Sequence, residues 1–262
     1  MPDDSVKKTV QVALGICIVC SLLVSTAAVT LSARQQQNKR LDQIRNILIA
    51  GGLYTEGIDI ESAYNERIVP IMIDMETGER VSEDKFDDVL NPKDFDIKAV
   101  AAHPMYGKHI ARDADLAQIQ RRPRYMLVYL VQDEGKTTKL ILPVYGKGLW
   151  STLYGFLALE KDLSTVSGIT FYEHGETPGL GGEVDNPAWK ASWKGKQVFD
   201  KEGNVRLSVI KGRVDTSRAE AIHQVDGLSG ATITARGVDR LVKYWLGENG
   251  YGALLSILQE TR

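Results

Sequence analysis

The chain has 262 residues, 43% of them apolar and 25% charged, which excludes a disordered or collagen-like protein. With 34 acidic against 32 basic residues the net charge is −2, without the basic excess of a nucleic-acid binder. Two cysteines exclude a disulfide-rich scaffold, and a mean hydropathy of −0.18 excludes a polytopic membrane protein.

Residues 1–8 read as a short N-terminal tail. Residues 9–33 carry no charge and are mostly Val, Ile, Leu, Ala or Cys. As a helix they extend roughly 37 Å, enough to cross a bilayer core of about 30 Å. A cleavable leader has a shorter apolar region of about 7–15 residues, so a retained transmembrane helix is expected, although Ser25-Thr26-Ala27-Ala28 imitates a cleavage site. Cys17 and Cys20 fall on one face of this helix and read as small apolar packing residues. The basic residues Arg34, Lys39, Arg40 and Arg45 after the span weakly favour a cytoplasmic domain.

Residues 34–52 predict a stalk helix, with Leu41, Ile44, Ile47 and Leu48 at helical spacing and Gly51-Gly52 as its stop. Residues 53–262 form the soluble domain, with a mixed, polar excursion near 55–120. The acidic run from Asp74 to Asp88 reads as a solvated face. Tyr125–Val131 and Thr138–Tyr145 predict a hairpin turning at Asp133-Glu134-Gly135-Lys136. Leu153–Leu159 and Val166–Tyr172 predict two more strands, and Val205–Ile210 a fifth. Strands in succession without intervening helices imply an α+β fold with an antiparallel sheet. Val238, Leu241, Val242, Trp245 and Leu246 mark a C-terminal helix, closed by Gly247 or Gly250, and Leu254 to Leu258 a last short one.

Three glycine-rich segments are the candidate site. The first contains Gly148, Leu149 and Trp150. The second, Gly175 to Gly182, has four glycines in eight residues and includes Thr177, Gly179, Leu180 and Gly181. Such a segment lets a flat ring lie against backbone, and Pro178 stiffens it by restricting Thr177. The third, Asp226-Gly227-Leu228-Ser229-Gly230-Ala231-Thr232, precedes the terminal helix. Small residues there leave backbone N–H groups free for an anion; a plain Ser or Thr helix cap explains the same residues. His103, His109, His174 and His223 lack metal-site spacing; His174 adjoins the second segment. No triad is evident, so no catalytic residue and no metal ligand is expected.

Ser229-Gly230-Ala231-Thr232 with Asp226 resembles the flavinylation motif of the FMN-binding domain family. The N-terminal anchor, Gly148-Leu149-Trp150, and the run from Glu173 through Gly175–Glu183 to Asn186-Pro187-Ala188-Trp189 are similar to the C subunits of the sodium-translocating NADH:quinone oxidoreductases. The resemblance implies one FMN joined through its phosphate to Thr232, made from FAD by a flavin transferase. It implies FMN contacts from Ser229, Gly230, Ala231, Thr177, Gly179, Leu180, Gly181, Gly148, Leu149 and Trp150. It further implies a six-subunit complex in the cell inner membrane, moving electrons from NADH to ubiquinone and exporting Na⁺. The domain is then extracytoplasmic, on the periplasmic side, against the weak charge bias; large domains translocate regardless of flanking charge. Two alternatives stay open: the G subunit of the Rnf ferredoxin:NAD oxidoreductase, and a non-redox membrane-anchored binding module whose motif is only a helix cap. The 55–120 excursion and Asn186–Trp189 favour the first reading.

Overall fold

The structure is a computed structural model and describes residues 6–260. It divides into two units at Gln43/Ile44. Of the expected tail, residues 1–5 lie outside the described residues, as do 261–262 at the other end, and residues 6–8 are already helical.

The helix α1 runs Val6–Ala50 without interruption. Among the described residues it is the one helix long and apolar enough to cross a membrane. It stops at Gly51-Gly52, where Gly52 takes φ +72°. Leu53 N–H donates to the Leu48 carbonyl at 2.8 Å and Gly52 N–H to the Ile49 carbonyl at 3.0 Å. This paired capping satisfies the last helical carbonyls and needs a left-handed residue, which glycine adopts freely.

The second unit is built on a five-stranded antiparallel sheet. In chain order its elements are α2 (Ile60–Arg67), β1 (Ile68–Asp74), α3 (Ile97–Ala102), β2 (Gly107–His109), β3 (Arg121–Pro123), β4 (Tyr125–Asp133), β5 (Lys136–Lys147), β6 (Thr152–Glu160), β7 (Val166–Glu173), α4 (Pro187–Ala191), β8 (Ser208–Val209), β9 (Gln224–Val225), α5 (Thr232–Leu246) and α6 (Gly252–Glu260). The sheet order is β1-β4-β5-β6-β7.

Two strand expectations are corrected. The fifth strand of the sheet is β1, inside the segment read as mixed and polar. Pro70 is tolerated there because β1 lies at the sheet edge. Within Val205–Ile210 only Ser208-Val209 forms a strand, parallel to Gln224-Val225 and outside the main sheet, while Val205 makes an isolated antiparallel bridge with Phe199. The acidic run also does more than solvate: Asp74 accepts from Arg124 Nε and Nη2, each at 3.1 Å. Asp87 accepts from the N–H groups of Val89 and Leu90 at 2.8 and 2.7 Å.

The sheet is covered on both faces. Leu140, Leu142 and Val144 of β5 and Leu157 of β6 face a core shared with Val238, Leu241 and Trp245 of α5. The alternate residues Ile141, Phe156 and Ala158 face Ile44, Ile47 and Leu48, the last turns of α1, and Ala63 of α2. Two buried faces explain why β4 and β5 read as continuous apolar runs rather than alternating ones. Glu134 and Gly135 join them with φ +48° and +74°, the paired positive values of a type I′ hairpin turn.

The strand β5 and the helix α5 fix the geometry that matters for function. Trp245 is fully buried and its indole N–H donates to the Tyr145 carbonyl at 2.7 Å. Near the other end of the helix, a Cβ on Gly237 would lie 2.4 Å from the Lys147 carbonyl. Only glycine lets α5 approach so closely, and the approach sets its first turn against the β5–β6 loop.

Candidate flavin site

The three glycine-rich segments meet, and Glu176 joins them. The residue is 5% exposed. It accepts from the backbone N–H groups of Leu149 (3.2 Å), Trp150 (2.9 Å) and Ser151 (3.1 Å) in the β5–β6 loop. It also accepts from the Thr234 hydroxyl of α5 at 2.6 Å. A second tie runs from Gly175 N–H to Ser151 Oγ at 2.7 Å. Burial pushes the Glu176 carboxyl up, but the Thr234 hydroxyl and the three N–H groups outweigh it, so the group sits below the usual glutamate value.

The glycines follow from this crowding. A Cβ on Gly148 would fall 2.6 Å from Glu176 Oε1, and one on Gly181 2.6 Å from Thr234 Oγ1 and 2.7 Å from Glu176 Oε2. Thr177 to Leu180 form a tight turn, with Leu180 N–H on the Thr177 carbonyl at 3.1 Å and Gly179 at φ +73°. Pro second and a positive-φ Gly third is the type II pattern.

The third segment starts α5 in an unusual way. The N-cap is Ala231, which has no side-chain acceptor, and Thr232 is the first helical residue. The Ser or Thr cap that would explain the motif without a ligand is therefore not made. Thr232 and Ile233 are exposed, whereas Thr234 is fully buried. Thr234 does not bond its own backbone, as a helical Thr often does; its hydroxyl goes to Glu176.

Thr232, Ser229 and Gly230 line a cleft of about 590 Å³ with Glu183, Asn186, Trp189, Lys211, Arg213 and Asp226 among its walls. Asn186 caps α4 by accepting from Ala188 N–H at 2.9 Å, with Pro187 at the first helical position. That places Trp189, whose indole N–H donates to the Asp226 carbonyl at 2.8 Å. The Asn-Pro-Ala-Trp segment thus holds the start of the motif. Gly148, Leu149, Trp150, Thr177, Gly179, Leu180 and Gly181 do not line this cleft. They sit around Glu176, with Leu149 41%, Trp150 68% and Leu180 46% exposed, and Leu180 Cδ2 lies 3.0 Å from where a Gly230 Cβ would stand.

An FMN fits these residues. An exposed hydroxyl stands at a helix start with uncapped N–H groups, suited to a phosphate. Lys211 and Arg213 supply positive charge, and exposed apolar side chains beside a glycine cradle suit a flat ring. His174 lies at the edge: its Nε2 meets Asp185 at 2.8 Å and its Nδ1 accepts from Glu176 N–H at 3.2 Å. The hydrogen bond to Asp185 raises its pKa above the usual histidine value, against burial, helped by the negative charges of Asp185 and Glu176.

Sequence reasoning missed Glu176, Thr234, Ser151, Lys211 and Arg213 as parts of this site. Glu176 lies inside the quoted motif, but its partners are 25 to 58 residues away, and no local spacing signals such a link.

Residues 148–247 match the FMN-binding domain family. The C subunit of the Na⁺-translocating NADH-quinone reductase of Pseudomonas aeruginosa is 46% identical over 261 residues, covering 98% of each chain. That of Haemophilus ducreyi is 45% identical over 259 residues, covering 98% of this chain and 96% of its own. The crystal structure of Shewanella oneidensis NqrC matches with a TM-score of 0.77 and 36% identity, over 86% of this chain and 99% of that one. The antiparallel sheet and this similarity along nearly the whole length identify the chain as a member of the C-subunit family of Na⁺-translocating NADH-quinone reductases, an FMN-binding flavoprotein with, among the described residues, one helix long and apolar enough to cross a membrane.

Proposed function

We propose that this chain is the electron-transfer subunit that carries one FMN, esterified through its phosphate to Thr232, in a six-subunit complex that oxidises NADH, reduces ubiquinone and exports Na⁺. Residues 9–33 span the inner membrane, 34–52 form the stalk, and 53–262 form the FMN-binding domain on the periplasmic side. A flavin transferase makes the ester from FAD. The names of the relatives and the match to the FMN-binding domain support the complex and the cofactor. The observation that carries the attachment site is the exposed Thr232 at the first position of a helix whose cap is an alanine.

The FMN, when bound, supplies the redox chemistry, and the protein positions it and tunes its potential. Thr232 presents its hydroxyl over the cleft. The α5 dipole and free N–H groups stabilise the phosphate there, and Lys211 and Arg213 offset its charge. Leu149, Trp150 and Leu180 shield ring faces from water. The exposed turn at Pro178-Gly179 leaves backbone for the ring to lie against.

The test is intact-mass analysis of protein made with and without the transferase. We expect the mass of FMN less one water only with the enzyme, and no gain in Thr232→Ala. A folded Thr232→Ala protein that keeps flavin through denaturation overturns the assignment.

A further inference from the structure

Glu176 is surrounded by donors. Three consecutive backbone N–H groups, from Leu149, Trp150 and Ser151, converge on its carboxylate, the arrangement of an anion-binding nest. Thr234 contributes a fourth donor. A side-chain amide could not accept from all of them, because its NH₂ would face a donor. Among the described residues the carboxylate makes no ion pair, so no directly paired cation cancels its charge, and the low dielectric of a buried site extends the field.

We propose that Glu176 is a positioning residue of the flavin site: a fixed anion that locks residues 149–151 to the first turn of α5 and holds the reduction potential of the bound FMN low. This rests on the FMN being carried beside these segments. The lock acts through Leu149 and Trp150, whose backbone it pins while their side chains stay exposed. It also explains the glycines at 148 and 181, since a Cβ at either would collide with the carboxylate. The effect on potential is electrostatic: adding an electron to a ring near a buried negative charge is disfavoured, so removing the charge makes reduction easier.

The experiment compares wild type, Glu176→Gln and Thr234→Val in the full chain, each with and without FMN loading. In the unloaded proteins, amide hydrogen exchange at residues 149–151 reads the lock. We expect faster exchange in Glu176→Gln. In the loaded proteins, Glu176→Gln shifts the midpoint potential positive. Thr234→Val keeps the charge and removes a donor, and so gives no positive shift. A purely structural role would move both variants the same way. Unchanged exchange in Glu176→Gln, an unchanged potential, or a positive shift in both variants each overturn the proposal. Thr232→Ala, assayed for covalent flavin by intact mass, tests the attachment site separately, so failure there is not confused with failure of Glu176.

Discussion

The Thr234 hydroxyl donates a 2.6 Å hydrogen bond to the Glu176 carboxylate, and both side chains are buried. Thr232, two residues earlier on the same helix, is exposed. Two residues turn a helix by about 200°, so the two threonines serve opposite sides: one ties α5 to the loops, the other faces the cleft.

Thr234→Ala is therefore expected to keep covalent FMN but to lose stability. A hydrogen bond to a charged group contributes about 1.5–3 kcal/mol, and its loss leaves the buried carboxylate one donor short. Chemical denaturation with flavin fluorescence of the denatured band checks both halves. Loss of flavin with unchanged stability contradicts the division of roles.

Gly181→Val is expected to disturb the flavin environment without removing its anchor. The new Cβ meets Thr234 Oγ1 and Glu176 Oε2 at under 3 Å, so the 177–182 turn must shift away from α5. The absorption spectrum or midpoint potential should change while mass analysis still finds FMN on the chain. An unchanged spectrum and potential separates the turn from the ring.

His174 should titrate above the usual 6.5, because its hydrogen bond to Asp185 stabilises the protonated ring. A raised folded-state pKa contributes stability that is fully present below 6.5 and is lost as pH rises through the folded value. Asp185→Asn removes the partner and should bring the midpoint down in an NMR titration of the ring. No change on Asp185→Asn assigns the shift to some other group.

Residues beyond 34 are expected on the periplasmic side. With Cys17 and Cys20 replaced by Ser, single cysteines introduced at exposed positions such as Ser256 should label with an impermeant thiol reagent in intact spheroplasts. Labelling only after lysis would place the domain in the cytoplasm.

The amino-acid sequence by itself determined the elements whose signal is local. An uncharged 25-residue stretch predicts a spanning helix from its length and apolarity. The β4–β5 hairpin follows from a Glu-Gly turn that takes positive φ at both positions, and α5 from apolar residues at helical spacing. The motif ending at Thr232 is likewise contiguous. β1 was less legible, since a proline interrupts it and its pairing with β4 lies some 50 or more residues away. Only the tertiary structure decided what surrounds the motif. Whether Thr232 or Thr234 faces out depends on the rotation of α5. That rotation is set where Gly237 meets Lys147 and Trp245 meets Tyr145. Glu176 acquires its role from donors that the sheet and helix bring to it across the chain. Close packing and burial make these distant groups partners, because a carboxylate taken out of water must find its hydrogen bonds wherever the fold supplies them.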